Sequence, residues 1–148
     1  MRLRRGKRTR AQISFNMSRV RSKGSKIERV METALHSLGL RPTKQPKIFG
    51  CPDFAFRRAK VAIFCDSHFW HGYRWKTREK EIKSNRPFWL SKITGNIRRD
   101  RFVTRQLRKH GWIVLRFWEH QIKRCPDRCA ARVKDVLANP RSTHASCG

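Results

Sequence analysis

Acidic residues are scarce in this chain. Ten Asp and Glu stand against 37 Lys and Arg in 148 residues, a formal net charge of +27. So unbalanced a chain repels itself unless a polyanion shares its surface, so nucleic acid is the expected partner. A ribosomal or purely architectural protein would share this charge. No apolar run reaches transmembrane length, which excludes a helical membrane span. The basic stretch 1–10 is followed by no apolar segment, which excludes a secretory signal. The five cysteines are an odd number without framework spacing. They point to a reducing cytoplasm rather than to a disulfide scaffold. Internal repeats and interdomain linkers are also missing, so one domain with a modest core is expected. Aromatic residues, by contrast, make up 10% of the chain and include five Trp, too many for a disordered basic tail.

The organisation expected is a basic phosphate-contacting arm over 1–15, a folded domain over 16–138 and a loose tail over 139–148. Ser25 to Leu38 has helical periodicity, with Ile27, Val30, Met31, Ala34, Leu35 and Leu38 on one stripe. Ser25 and Glu28 form a capping-box pattern, and Gly39 is a natural stop. Asp53–Phe56 and Lys60–Cys65 read as a hairpin, followed by a functional loop from Asp66 to about Trp75. The charged stretch 76–86 reads as a flexible lid or insertion. Pro87–Lys109 reads as a long helix, Trp112–Trp118 as a strand, and the chain after Pro126 as a last helix. This order gives a mixed α/β sheet flanked by helices.

Residues 64–71, Phe-Cys-Asp-Ser-His-Phe-Trp-His, carry most of the chemistry. Phe69 and Trp70 are adjacent in a polar loop, where they are hard to bury together but make a wedge or stacking surface for bases. The alternative for both is packing on the sheet, and Trp89 fits equally on the apolar face of its helix. In a chain with few carboxylates, the positions of those present are informative. Asp53 opens one strand of the hairpin and Asp66 follows the other, so their side chains are brought close. Two carboxylates converging on a basic surface suit Mg²⁺, which takes oxygen ligands and shares its shell with phosphate. Otherwise each is a loop acid offset by a nearby Arg. His71 fits a general base, or else a loop imidazole contacting phosphate. Asp100 fits either a partner orienting that imidazole or an ordinary i,i+4 ion pair.

Several segments, in this order, resemble the Vsr family of very-short-patch-repair DNA endonucleases. They are Asn16-Met-Ser-Arg-Val-Arg-Ser-Lys, Cys51-Pro-Asp-Phe, Ile63-Phe-Cys-Asp-Ser-His-Phe-Trp-His-Gly, Pro87-Phe-Trp-Leu-Ser-Lys-Ile, Asn96-Ile-Arg-Arg-Asp and Gly111-Trp-Ile-Val-Leu-Arg-Phe-Trp-Glu119. The resemblance covers about residues 16 to 119. It implies a single-domain PD-(D/E)XK-like restriction-endonuclease fold and a Mg²⁺-dependent enzyme nicking one strand 5′ to the T of a T:G mismatch. Carried over residue by residue, Asp53 and the backbone carbonyl of Cys65 would hold Mg²⁺. His71 would be the catalytic imidazole oriented by Asp100, with Asp66 beside the metal and Glu28 reaching in from the first helix. Phe69, Trp70 and Trp89 match intercalating aromatics. Met17, Lys92 and Asn96 match positions that approach the mispaired bases. The implied partners are mismatched duplex DNA and mismatch-repair proteins. A monomer is expected because a mismatch lacks two-fold symmetry.

The chain departs from that pattern at the family's structural zinc site. His68 stands at its first Cys position, Tyr73 at the next, Trp75 or Lys76 at the nearby His/Cys option, and His120 at the last Cys. Two remnant ligands, His68 and His120, do not make a four-coordinate site, although Cys125 and Cys129 lie near enough in sequence to be considered as replacements. The expectation is no structural zinc and a loop supported by packing. Ser67 replaces the family's Gly after Asp66, which leaves the loop geometry less determined. Two other functions stay open: a Vsr-fold restriction or homing-type endonuclease cutting matched duplex, and a basic DNA-binding module with a decayed site.

Overall fold

The computed structural model describes residues 26–68 and 71–140, and its spine is a pair of parallel strands. Strand β3 (Val61–Asp66) is buried at all six positions because both its faces are covered. Strand β4 (Ile113–Trp118) runs beside it in a register that pairs Val61 with Ile113 and Asp66 with Trp118. The two strands therefore end level with each other. On the other side of β3, β2 (Phe54–Phe56) pairs antiparallel, and the short β1 (Thr43–Lys44) completes the order β1-β2-β3-β4. The sheet is mixed, as the hairpin followed by a helical crossover requires.

One layer of helices covers the Val61, Ile63 and Cys65 face. Helix α1 (Lys26–Ser37) buries Ile27, Met31, Ala34 and Leu35, the stripe read from the sequence. It ends at Gly39, whose φ of +74° lets the Leu40 amide reach back to the Leu35 carbonyl at 3.0 Å. The last helix, Pro126–Ala138, adds Cys129, Ala130, Val133 and Val136 to the same core.

The opposite face, presenting Ala62, Phe64 and Val114, is covered by the long helix between β3 and β4. That helix spans Arg86–Lys109 and buries Ile93, Val103 and Leu107. Ala62, Phe64 and Val114 pack against Val103 and Leu107, in its C-terminal half. The N-terminal half supports the loop after β3: at Gly72, a Cβ would meet the Ile97 side chain at 2.3 Å.

Four features differ from the sequence reading, the first being strand β1, which it did not contain. Asp66 is the last residue of β3 rather than the start of the loop, and it is buried. The stretch read as a lid instead folds into a helical turn, Trp75–Arg78, and a 3₁₀ turn, Glu79–Glu81. Arg86 ties that turn down by donating to the carbonyls of Glu79 (2.6 Å) and Ile82 (3.2 Å). A short helix, Glu119–Arg124, follows β4 without a break and buries Ile122. Numbered in chain order, the helices are α1, α2 (Trp75–Arg78), α3 (Arg86–Lys109), α4 (Glu119–Arg124) and α5 (Pro126–Ala138). The arm, Met17, the Ser25 cap, Phe69, Trp70 and residues 141–148 lie outside the described residues. No helix among the described residues is long and apolar enough to cross a membrane.

Candidate active site

The site forms where β3 and β4 end, and the peptide from Cys65 to Asp66 divides it into two halves. Alternation along β3 sends the two residues to opposite faces, Cys65 toward α1 and α5 and Asp66 toward α3.

On the α1 side, Asp53 precedes β2, and its Oδ2 accepts a hydrogen bond from the Cys65 amide at 2.7 Å. Glu28 comes in from α1 and hydrogen-bonds the Asp53 carboxyl. Burial, the charges of Glu28 and Asp66, and that contact together raise the Asp53 pKa to about 7, against the pull of the Cys65 amide. A carboxyl held this way gives up its proton less readily than an ordinary one, and a bound cation would favour its ionised form. The donors at this point are hard oxygens, which suit Mg²⁺ rather than a thiophilic ion. Among the described residues no three His, Cys, Asp or Glu side chains group as metal ligands. Mg²⁺ does not require such a cage, since it keeps several waters and takes one or two carboxylates. Asp53 and the Cys65 carbonyl are the groups here that could hold such an ion.

On the α3 side, His71 and Asp100 meet, with Nδ1 2.6 Å from Oδ2. The same nitrogen lies 3.5 Å from Oδ1 of Asp66. Arg116, from β4, donates to both oxygens of Asp66 at 3.1 Å. Its remaining donors reach Thr104 Oγ1 at 2.9 Å and the Asp100 carbonyl at 3.3 Å, and its guanidinium lies 4.1 Å from the centre of the Phe64 ring. Burial raises the Asp66 pKa, and the charges of His71 and Arg116 oppose that rise. Burial pulls the His71 pKa down, but the Asp100 hydrogen bond and the charges of Asp66 and Asp100 outweigh it, so the net shift is upward.

The hairpin thus brings Asp53 and Asp66 within electrostatic reach, but not as a matched pair of ligands. Asp53 meets Glu28, whereas Asp66 is paired with Arg116 and faces His71. Sequence reasoning missed Arg116. Its signal was a lone charge inside the apolar run Ile113–Trp118, a position that needs a buried partner. Trp89, Lys92 and Asn96, spaced i, i+3 and i+7, share one side of the N-terminal half of α3 and are all half-buried. Trp89 meets the exposed Phe88 edge-to-face at 5.2 Å.

Rings pack together at the positions where the zinc ligands would stand. His68 Nε2 lies 2.7 Å from His120 Nδ1, and the Tyr73 ring stacks on His68 at 4.5 Å. Tyr73 also packs on Trp118 at 5.1 Å and on His120 at 4.9 Å. The loop after β3 is thereby fastened to the start of α4.

Residues 6–77 match the family described as DNA mismatch endonuclease Vsr. Over 118 residues the chain is 48% identical to the type II nicking enzyme V.NmeDIP of Neisseria meningitidis serogroup C, covering 79% of this chain and 80% of that protein. It is 41% identical over 118 residues to the type II nicking enzyme V.HpaIIP of Haemophilus parainfluenzae, covering 79% and 84%. It is also 29% identical over 136 residues to the DNA mismatch endonuclease Vsr of Escherichia coli strain K12, covering 91% and 83%. Such identity over most of the chain, together with the site at the ends of β3 and β4, shows that this protein belongs to the Vsr family of DNA endonucleases.

Proposed function

We propose that this protein is a Mg²⁺-dependent endonuclease that nicks one strand of duplex DNA 5′ to the T of a T:G mismatch, acting as a monomer. The observation that carries the reading is the meeting of His71 and Asp100 beside the buried Asp66–Arg116 pair.

With its Nδ1 proton directed at Asp100, His71 keeps the Nε2 lone pair for a proton from attacking water. Asp100 fixes the ring's orientation and stabilises the imidazolium that forms. Arg116 holds Asp66 and Asp100 in place from below, so the acids do not repel each other apart. Asp53 and the Cys65 carbonyl would hold the divalent ion, with Glu28 in reserve at its edge. When bound, the ion supplies Lewis-acid stabilisation of charge on the scissile phosphate.

For recognition, Phe69 and Trp70 fall in sequence between Asp66 and His71, and Trp89 stands in the first turn of α3. In this reading they wedge into the base stack, with Met17, Lys92 and Asn96 approaching the mispaired bases. A T:G wobble pair resists this less than a matched pair, so prying the step open costs less at a mismatch.

A second reading rests on the names of the relatives. Two proteins at 48% and 41% identity are type II nicking enzymes. A nick at a defined sequence in matched duplex is therefore the alternative. One experiment separates the two: end-labelled duplexes, identical except for one T:G pair, incubated with Mg²⁺ or with EDTA. Nicking of the mismatched duplex alone, abolished by EDTA, is expected. Equal nicking of both duplexes overturns mismatch dependence.

A further inference from the structure

Beyond the site itself, α3 carries a second feature. Arg98, Arg101, Arg105 and Arg108 follow i, i+3, i+7 and i+10, so they form one stripe along a flank of the helix. All four are exposed, and all line the cleft of about 1060 Å³ that also contains His71, Asp66 and Asp100. Among the described residues, none of them makes an ion pair. The two acids in the cleft are already committed to His71 and Arg116. The stripe is therefore uncompensated positive charge in a row, not a converging pocket for a compact anion.

We propose that this stripe is a rail for the phosphates of one DNA strand on a single side of the nick. The proposal rests on the endonuclease reading above and adds the direction in which the duplex leaves the site. Ten residues of helix span about 15 Å. One strand carries a phosphate about every 3.4 Å of duplex axis, so a duplex lying along the stripe presents about four phosphates to four guanidinium groups. The rail begins beside Asp100 and runs away from His71 toward the end of α3. It therefore serves one flank of the cleavage point. The side of α3 carrying Trp89, Lys92 and Asn96 lies at the other end of the helix.

The test measures binding of a T:G duplex in EDTA, so it is read without turnover. Arg101→Gln, Arg105→Gln and Arg108→Gln are combined in one protein. Each lost phosphate contact removes about 0.9 from the slope of log affinity against log salt, so the triple variant should lose about 2.7. The triple Lys variant at the same positions should keep most of the slope. A control changes Arg128, Arg132 and Lys134, exposed on α5 behind the other face of the sheet, to Gln and should leave the slope intact. Trimming the duplex one side at a time should weaken the parent protein on both sides, while the triple Gln variant becomes insensitive to trimming on one side only. Three results would overturn the rail: an unchanged slope in the triple Gln variant, an equal drop in the α5 control, or a variant still sensitive to trimming on both sides. Failure of the endonuclease reading is seen separately, as absence of nicking by the parent protein with Mg²⁺.

Discussion

His71 and Asp100, 29 residues apart in sequence, meet at 2.6 Å because α3 returns beneath the loop that follows β3. The contact sets the direction of the first prediction. Burial alone would lower the His71 pKa, but hydrogen bonding to Asp100 and the charges of Asp66 and Asp100 raise it above its ordinary 6.5. A general base works only when neutral, so nicking should rise with pH through a limb lying above 6.5. Asp100→Asn removes the larger share of the upward pull, so that limb should move to lower pH. The same change loses the orientation of the ring, and maximal nicking should fall by about 10²-fold or more. Single-turnover nicking rates across pH test both effects. A limb that stays in place while the rate falls would assign Asp100 a purely structural part.

Arg116 is the only partner of the buried Asp66 carboxylate other than His71 among the described residues. Arg116→Met therefore leaves a buried acid without its counter-charge and should cost about 3 kcal/mol of stability. Adding Asp66→Asn should recover much of that loss, because the amide needs no counter-charge. Urea melts of the two single variants and the double variant give the coupling. Strict additivity would show that the pair contributes nothing as a unit.

Much of this architecture was legible in the sequence, for reasons specific to each element. The α1 stripe and Gly39 were clear because periodicity and cap agree on the same ends. The hairpin and β4 were clear because short β-rich runs are bounded by turns. Helix α4 was missed because it begins at Glu119 without any break after β4, so no turn residue announces it. Strand β1 is two residues long, too short for a pattern. The acids Asp53, Asp66 and Asp100 could be named as candidates, and Asp100 could be set beside His71, where it stands, but the pairing of Asp66 with Arg116 could not be read. Whether Asp66 faces Asp53 or Arg116 depends on which side of β3 it falls, and a one-residue change in where the strand ends reverses that.

Asp53 should limit stability as well as drive chemistry. Its pKa is raised to about 7 from 3.8, mainly by burial and next by Glu28 against the opposing Cys65 amide. The native state thus holds a proton that the unfolded chain has already lost between those values. In EDTA, stability should fall as pH rises from about 4 to about 7. Asp53→Asn removes this penalty. At pH 8 in EDTA it should stabilise the protein by about 1 kcal/mol, the full shift being discounted for the solvent-exposed part of the side chain. The same variant should not nick. Thermal melts at pH 5 and pH 8 check the sign, and a variant less stable than the parent at pH 8 would contradict it.

Ring packing between the loop and α4 predicts the zinc content. Purified protein should carry well under one zinc per chain by elemental analysis, since His68 and His120 contact each other and pack around Tyr73. Tyr73→Ala should then cost about 2 kcal/mol, because it removes a ring touching three others. A full equivalent of tightly held zinc, with little effect of Tyr73→Ala, would reverse the assignment.

Gly72 packs the loop that carries His71 against α3, and its substitution should separate folding from activity. It sits at φ +69°, a region that side-chain-bearing residues rarely adopt. A Cβ there would stand 2.3 Å from Ile97 Cδ1 and 2.7 Å from Ile97 Cγ1. Gly72→Ala must therefore push the loop away from α3, next to the residue that supplies the imidazole. A shift of about 1 Å in the position of a catalytic group can cost about 10²-fold in rate. The main cores, formed by α1, α5 and the sheet and by the second half of α3, are not touched. Nicking should consequently fall by about 10²-fold while the melting temperature drops by only a few degrees. Shortening Ile97 as well, in Gly72→Ala with Ile97→Ala, makes room for the added methyl and should restore part of the activity. If the double variant is no more active than Gly72→Ala alone, the backbone strain rather than the contact with Ile97 is what displaces His71.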